Sequence, residues 1–150
     1  MQILRLLEEQ GKDIVRHYVA GAAIPPETPE EENFWNRVPD DMLRGALEKA
    51  GASFGDLTER QLMDLPARFR RDTDFMTEFF FRDRGKIRCP LSVVISRRDF
   101  FTQNHADAER LWKERAEDLR EILFMDSPSH YFQTEQALTL AQILGRISKG

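Results

Sequence analysis

Two short apolar runs in the last third of the chain constrain the fold most strongly. Residues 91–96 and 121–125 are rich in aliphatic side chains and have the length of ordinary strands. Residues 104–116, which lie between them, follow a helical period that places Ala108, Leu111 and Trp112 on one face. A strand, a helix and a second strand in this order predict two parallel strands joined by a right-handed crossover.

The remaining segments extend this pattern toward both ends of the chain. Residues 1–10 are typical of a helix, residues 13–20 of a strand, and residues 134–147 of a final helix. The order is therefore a strand, a long excursion, a strand, a helix, a third strand and a helix. This alternation predicts the α/β class, with a parallel sheet of about three strands.

The long excursion between the first and second strands is predicted to be helical. It begins with an exposed acidic loop at 27–33, followed by an amphipathic helix at 39–50. A shorter helix spans 58–65, and Pro66 separates it from another helix at 67–81. The inward face of the helix at 39–50 is expected to carry Met42, Leu43, Ala46 and Leu47.

The last of these helices has a dense load of large apolar side chains. Residues 67–81 contain Phe69, Phe75, Met76, Phe79, Phe80 and Phe81. Two interpretations are open at this point. Aromatic residues at helical spacing are typical of core packing, and they also suit a helix that covers an apolar substrate cavity.

The bulk composition excludes several classes of protein. A chain of 150 residues is long enough for one domain with a core, and a net charge of −4 argues against a general nucleic-acid binder. We find no apolar run long enough for a membrane span and no secretory signal. The single cysteine, Cys89, and three scattered histidines predict neither a disulfide nor a metal site. We expect one cytoplasmic domain with no metal and no cofactor.

Two residues of catalytic type follow consecutive strands. Asp99 comes three residues after the strand at 91–96, and His130 comes five residues after the strand at 121–125. The carboxyl ends of parallel strands share one edge of the sheet, where reactive groups of α/β proteins lie. A carboxylate beside an imidazole holds the tautomer that leaves the other ring nitrogen free to accept a proton. We therefore predict an acid–base pair, and we assign His17 and His105 structural roles.

Four features follow one another in the second half of the chain. They are Arg88-Cys89-Pro90 before a strand, then Asp99, then Trp112 in the next helix, then Ser129-His130-Tyr131-Phe132. In this order they resemble the type II thioesterases, the stand-alone α/β-hydrolases that serve nonribosomal peptide and polyketide synthases. Further matching segments, in the same order, lie at 7–11, 18–22, 25–26, 38–43 and 69–72. The resemblance thus covers essentially the whole chain.

The resemblance implies a function and a set of site residues. It implies hydrolysis of acyl thioesters that carrier proteins hold on a phosphopantetheine arm, with Asp99 as the triad acid and His130 as the general base. It also implies that residues of about 27–86 form a helical lid inserted between the first and second strands. Phe75, Phe79 and Tyr131 are then expected to contact the substrate. The family usually has two glycines before the histidine, where this chain has Pro128 and Ser129.

The serine nucleophile of the family is expected upstream of Met1, so the domain would lack its N-terminal half and this chain alone would be inactive or nearly so. One literal match to the G-x-S-x-G elbow is present, at Gly51-Ala52-Ser53-Phe54-Gly55. An elbow needs a strand before the serine, whereas the residues before Ser53 have a helical pattern. Ser53 as a relocated nucleophile is therefore the weaker hypothesis.

Two further expectations concern partners. The alternative to an enzyme is a non-catalytic module, derived from the hydrolase fold, that binds an acyl group or a carrier protein. A shortened sheet would also expose an open strand edge, which predicts self-association. The expected partner in either case is an acyl or peptidyl carrier protein, with neither nucleic acid nor membrane involved.

Overall fold

The computed structural model describes residues 2–12, 15–28, 34–82 and 85–148. The chain divides into two compact units. The sheet unit comprises Met1–Pro25 and Gly85–Gly150, and the helical unit comprises Pro26–Arg84. No helix in the described ranges combines the length and the apolar character that crossing a membrane requires.

The sheet unit contains a parallel sheet of three strands, which confirms the predicted fold class. The strands are β1 (Tyr18–Gly21), β2 (Leu91–Ser96) and β3 (Leu119–Met125), in the spatial order β1-β2-β3. β1 pairs with β2 and β2 pairs with β3, both in parallel. The parallel pairing places the carboxyl ends of β2 and β3 side by side.

Among the described residues of this unit, four α-helices and one 3₁₀ turn accompany the sheet. Their bounds are α1 (Gln2–Glu9), a 3₁₀ turn (Phe100–Thr102), α5 (Ala108–Lys113), α6 (Phe132–Glu135) and α7 (Ala137–Ile147). Helices α2 to α4 belong to the helical unit. β2 is central, and all six of its residues are buried. A strand covered on both faces has this continuous apolar character, which is why residues 91–96 were recognisable in the sequence.

The two faces of β2 contact different parts of the core. Val93 and Ile95 belong to the same buried cluster as Trp112 of α5. Val94 belongs to a second cluster, with Phe132 of α6 and Ile143 of α7 among its members. Successive side chains of a strand point to opposite faces, so one apolar strand serves both clusters.

Several predicted boundaries in the sheet unit were wrong. The strand predicted at 121–125 begins two residues earlier, at Leu119. The strand predicted at 13–20 begins only at Tyr18, which pairs with Leu91, the first residue of β2. Pro90, the residue before Leu91, has no N–H, so the hydrogen bonds between the two strands cannot continue past this pair. Residues 13 and 14 lie outside the described ranges. The helix predicted at 104–116 spans only Ala108–Lys113, since residues 104–107 form turns closed by hydrogen bonds such as that from Asp107 N–H to Asn104 O.

The final helix is also divided. Residues 134–147 were expected to form one helix, but the chain forms α6 and then α7. Gln136 separates them, because its φ of −124° and ψ of 41° lie outside the helical region. Of the loop predicted at 27–33, residues 27 and 28 are exposed, and residues 29–33 lie outside the described ranges.

The helical unit contains α2 (Phe34–Arg37), α3 (Asp40–Lys49) and α4 (Glu59–Arg82). Leu43, Ala46 and Leu47 of α3 are buried, whereas Met42, which we expected to face inward, is 60% exposed. The helix at 39–50 is therefore confirmed with a narrower buried face than predicted.

Helix α4 corrects a further prediction, since Pro66 lies inside it rather than ending it. A proline leaves the carbonyl four residues earlier without its helical donor. Here that carbonyl belongs to Leu62, and it accepts a hydrogen bond from Arg44 Nη2 at 3.4 Å. A capping box also starts the helix, because Thr58 Oγ1 accepts from Gln61 N–H at 3.3 Å and Gln61 Oε1 accepts from Thr58 N–H at 2.9 Å.

Candidate active site

Asp99 and His130 meet at the carboxyl ends of β2 and β3. The His130 Nδ1 atom lies 2.8 Å from Asp99 Oδ2. The two residues are separated by 31 positions in the chain, and the parallel pairing of β2 with β3 brings their loops together. The predicted contact is thus present in the structure, while the catalytic roles of the two residues remain a prediction.

Asp99 is a fully buried carboxylate with several hydrogen-bond donors around it. Its side chain caps the 3₁₀ turn, because Oδ1 accepts a hydrogen bond from the Phe101 N–H at 2.9 Å. The Thr102 hydroxyl lies 3.1 Å from Oδ2, the same oxygen that faces His130. A buried charge is stable only when such donors compensate for the loss of water, so the donors hold Asp99 in one orientation.

His130 lies between this carboxylate and solvent, with 27% of its side chain exposed. Its ring makes edge-to-face contacts with Phe101 at 5.3 Å and with Tyr131 at 5.5 Å between centroids. A carboxylate only accepts hydrogen bonds, so neutral His130 donates from Nδ1 and carries its lone pair on Nε2. No residue in the described part of the chain hydrogen-bonds to Nε2, which leaves that atom open to a reacting group.

The loop that presents His130 is fixed by buried serines. Ser127 Oγ accepts a hydrogen bond from the Ser129 N–H at 3.1 Å, and Ser129 Oγ accepts one from the Tyr131 N–H at 3.0 Å. The Ser96 hydroxyl at the end of β2 donates to the carbonyl of Ser127. These serines therefore hold backbone groups in place, and their buried hydroxyls are not presented as nucleophiles. In the sequence, Ser127-Pro128-Ser129 before His130 is the feature from which this hydrogen-bonded turn could have been predicted.

The two loops also carry exposed charges. Arg98 Nη1 lies 3.4 Å from Asp126 Oδ1, with the two side chains 60% and 86% exposed. Arg97 stacks its guanidinium over the Phe124 ring at 3.8 Å from the centroid. An exposed ion pair contributes roughly 0–1 kcal/mol, so the buried Asp99–His130 contact, rather than this pair, dominates the electrostatics of the site.

The predicted substrate residues are distributed between the two units. Tyr131 contacts His130 through its ring. Phe75 lies on α4 in the helical unit and is 64% exposed. The Phe79 side chain lies outside the described part of the structure. Their contact with a substrate stays a prediction.

Ser53 lies in an exposed loop of the helical unit. The residues before it form α3, and Gly51, with a φ of +98°, ends that helical segment. The next helix begins only at Glu59. Ser53 is therefore not on a strand-to-helix turn, which is the geometry that exposes an elbow serine.

The other candidate ligands of the sheet unit have structural contacts. His17 Nε2 is 3.0 Å from Ser92 Oγ, and the His105 ring packs edge-to-face on Phe124. Within the described ranges no three histidine, cysteine or acidic side chains cluster as metal ligands. Burial, and then the nearby charge of Glu8, raise the pKa of the Cys89 thiol, which disfavours the nucleophilic thiolate.

Comparison with known proteins identifies the fold. Neither a protein-family model nor a curated protein matches the chain. Among solved structures, ClbQ from the colibactin NRPS/PKS pathway superposes with a TM-score of 0.69 at 14% identity, over 99% of this chain and 61% of its own. The type II thioesterase BorB, from the borrelidin biosynthetic cluster, gives a TM-score of 0.66 at 20% identity, over 97% of this chain and 58% of its own.

The type II thioesterase YbtT, from the yersiniabactin NRPS/PKS pathway, gives a TM-score of 0.67 at 18% identity, over 95% of this chain and 57% of its own. The chain thus spans less than two thirds of the length of each of these proteins. Identities this low establish similarity of fold. The chain accordingly has a type II thioesterase-like α/β-hydrolase fold.

Proposed function

We propose that the chain carries the acid and base of a thioesterase that acts on acyl thioesters of phosphopantetheinyl carrier proteins. The observation that carries the proposal is the 2.8 Å contact between His130 Nδ1 and the buried Asp99 carboxylate. The resemblance to two type II thioesterases supports the choice of reaction. The cytoplasm is the proposed compartment, since a chain with a single cysteine suits a reducing environment.

The chemistry follows from the orientation of the imidazole. His130 Nε2 accepts the proton of a serine hydroxyl as its oxygen attacks the thioester carbonyl. Asp99 stabilises the imidazolium that forms. The imidazolium then returns the proton to the departing thiolate of the phosphopantetheine arm. A water molecule, deprotonated by His130 in the same way, releases the acid from the acyl-serine and restores the hydroxyl.

The serine nucleophile is proposed not to be among these 150 residues. The helix before Ser53 and the buried hydroxyls of Ser127 and Ser129 support this assignment. Removing the nucleophile from a triad abolishes most of its effect. The 150-residue chain is therefore expected to have little or no activity alone.

The helical unit is proposed to be the lid over the acyl group. Its long helix α4 carries the exposed Phe75 and the predicted contact residue Phe79. Tyr131, beside the base, would contact the substrate from the sheet unit.

Fluorophosphonate labelling with intact-mass detection tests where the nucleophile lies. One-dimensional NMR verifies that the protein is folded, and Ser53→Ala is the control. The proposal expects no stoichiometric adduct on the folded protein. An adduct that disappears in Ser53→Ala would instead show that Ser53 is an activated serine and that the chain is a compact hydrolase.

A second candidate is a non-catalytic module that binds an acyl group or a carrier protein. Two large apolar side chains of α4, Met63 at 78% and Phe75 at 64% exposure, favour it, because a surface that binds an apolar group presents several such side chains to solvent. This candidate expects Asp99→Asn and His130→Ala to leave binding of an acyl-pantetheine thioester unchanged and any hydrolysis absent. Slow hydrolysis that either substitution abolishes would eliminate the module and support the enzyme.

Self-association through a sheet edge is part of the same proposal. In the described sheet β1 pairs on one side only, with β2, and its four residues contain neither a charge nor a proline. The opposite edge strand, β3, has charged Arg120 and Glu121 beside a register irregularity, which are features that discourage pairing. Sedimentation velocity at increasing protein concentration should show dimers, and a concentration-independent monomer would contradict this part of the proposal.

A further inference from the structure

Thr102 lies beside the candidate acid–base pair but was not singled out by the sequence. It is 1% exposed and is the last residue of the 3₁₀ turn that Asp99 caps. We propose that Thr102 is a positioning residue, whose hydroxyl sets how strongly Asp99 attracts the protonated form of His130. The inference rests on the proposed role of His130 as the base, and its test below does not depend on thioester hydrolysis.

The hydroxyl of Thr102 has two acceptors within reach. Its Oγ1 atom is 3.0 Å from the Ser96 carbonyl oxygen and 3.1 Å from Asp99 Oδ2. A hydroxyl has one proton to donate, so it cannot make both hydrogen bonds at full strength at once. The Thr102 hydroxyl therefore donates either to the Ser96 carbonyl at the end of β2 or to the Asp99 carboxylate.

The carboxylate oxygen involved is the one that holds the imidazole. Asp99 Oδ2 faces both the Thr102 hydroxyl at 3.1 Å and His130 Nδ1 at 2.8 Å. While His130 is neutral, the hydroxyl proton stabilises the negative charge on Oδ2. When His130 becomes an imidazolium, Nδ1–H is the stronger donor, and the hydroxyl has the Ser96 carbonyl as its other acceptor. When the charge of the imidazole changes, the Thr102 hydroxyl thus rotates from one acceptor to the other.

The turn does not need this hydroxyl to keep its backbone shape. The Phe101 N–H donates to Asp99 Oδ1 at 2.9 Å, and the Thr102 N–H donates to the Asp99 carbonyl at 3.2 Å. Valine has nearly the shape of threonine and lacks only the donor. Thr102→Val therefore removes one donor from a buried carboxylate while the capped turn is retained.

The expected consequence is a change in the protonation equilibrium of His130. Without the hydroxyl donor, the negative charge of Asp99 is less stabilised by its surroundings, so it attracts the imidazolium more strongly. The imidazolium form of His130 is then stabilised relative to the neutral ring. The pH midpoint of the His130 titration, followed by NMR of the ring protons, should rise by roughly half a unit, about threefold in the equilibrium constant. The other charged side chains on the two loops are Arg97, Arg98 and Asp126. Arg98 pairs with Asp126, Arg97 stacks on Phe124, and the substitution changes none of them.

The control is Thr134→Val. The Thr134 hydroxyl lies in α6, just after His130, and donates to the Tyr131 carbonyl at 2.8 Å rather than to Asp99. Thr102→Ser keeps a hydroxyl and should restore the wild-type midpoint. Thr102→Ala, which lacks the donor and is smaller, gives the same expected rise if the valine variant does not fold.

The outcomes separate the inference from the proposed function. A rise in Thr102→Val or Thr102→Ala, absent in Thr102→Ser and Thr134→Val, supports Thr102 as a positioning residue even if no thioesterase activity is found. An unchanged midpoint in a folded variant without the hydroxyl would overturn the inference. So would an equal rise in Thr134→Val, since the effect would then follow from the loss of any threonine hydroxyl near His130.

Discussion

The substitution Asp99→Asn tests whether the buried carboxylate organises the site. Asn has the shape of Asp but only one acceptor oxygen, whereas Asp99 uses one oxygen for the Phe101 N–H and the other for Thr102 and His130. If the amide oxygen faces His130, the amide NH₂ opposes the Phe101 N–H. One charge-assisted hydrogen bond is lost in either orientation, and in the orientation that keeps the amide oxygen toward His130 the buried Phe101 N–H is left without an acceptor.

The magnitude can be worked from these contacts. A hydrogen bond to a charged group contributes roughly 1.5–3 kcal/mol, and an unsatisfied buried donor adds about 1–3 kcal/mol. Asn carries no charge, so the substitution also removes the free-energy cost of burying a carboxylate, which offsets part of this loss. We expect the free energy of unfolding of the sheet unit to fall by about 3 kcal/mol. With a urea m-value of about 2 kcal/mol/M, the denaturation midpoint falls by roughly 1.5 M.

The assay uses the fluorescence of a single tryptophan. The chain has two tryptophans, and Trp112 is buried in the sheet unit while Trp35 belongs to the helical unit. Urea titration in a Trp35→Phe background therefore reports on the sheet unit. Asp107→Asn is the matched control, because its side chain is 55% exposed and its ion pair with Arg110 should change stability by less than about 0.5 kcal/mol. Equal midpoints for Asp99→Asn and the parent protein would refute the reasoning.

Three further predictions concern other parts of the chain. Glu8→Gln should lower the free energy of unfolding by about 1–3 kcal/mol, because the Glu8 carboxylate accepts hydrogen bonds from the backbone N–H groups of Arg88 and Cys89 at 2.8–3.1 Å. Urea titration measures this, and an unchanged denaturation midpoint would contradict it. Cys89 should react with iodoacetamide more slowly at pH 8 than an unfolded-peptide cysteine, because burial and the Glu8 charge raise the pKa of its thiol; an equal rate would refute the shift. Pro66→Ala should raise the free energy of unfolding of the helical unit by about 1–3 kcal/mol, because alanine supplies the N–H that the Leu62 carbonyl lacks within α4. Thermal unfolding measures this, and a lower melting temperature would argue against it.

The elements that could be predicted were those governed by local pattern and topology. Residues 91–96 form a strand with the predicted bounds, because a central strand buried on both faces is a continuous apolar run. The contact between Asp99 and His130 followed from a rule about where parallel strands end. Neither inference needed knowledge of distant side chains.

The elements that were missed depend on contacts between distant parts of the chain. Pro66 lies inside α4, and the Leu62 carbonyl that it leaves without a helical donor accepts a hydrogen bond from Arg44 of α3. The helical pattern of residues 58–81 alone could not show that donor. The Thr102 hydroxyl and the Ser96 hydroxyl are likewise buried by tertiary packing. Their roles depend on which carbonyl or carboxylate lies opposite, which is a property of the fold.

The most direct test of the central claim is the tautomer of neutral His130, read from ¹⁵N NMR of the imidazole nitrogens, with His130→Gln to assign the signals. The account predicts a proton on Nδ1 and a bare Nε2 in the wild-type protein, and loss of that preference in Asp99→Asn. A neutral ring protonated mainly on Nε2 would contradict it, because His130 could not then accept a proton at the atom that faces away from Asp99.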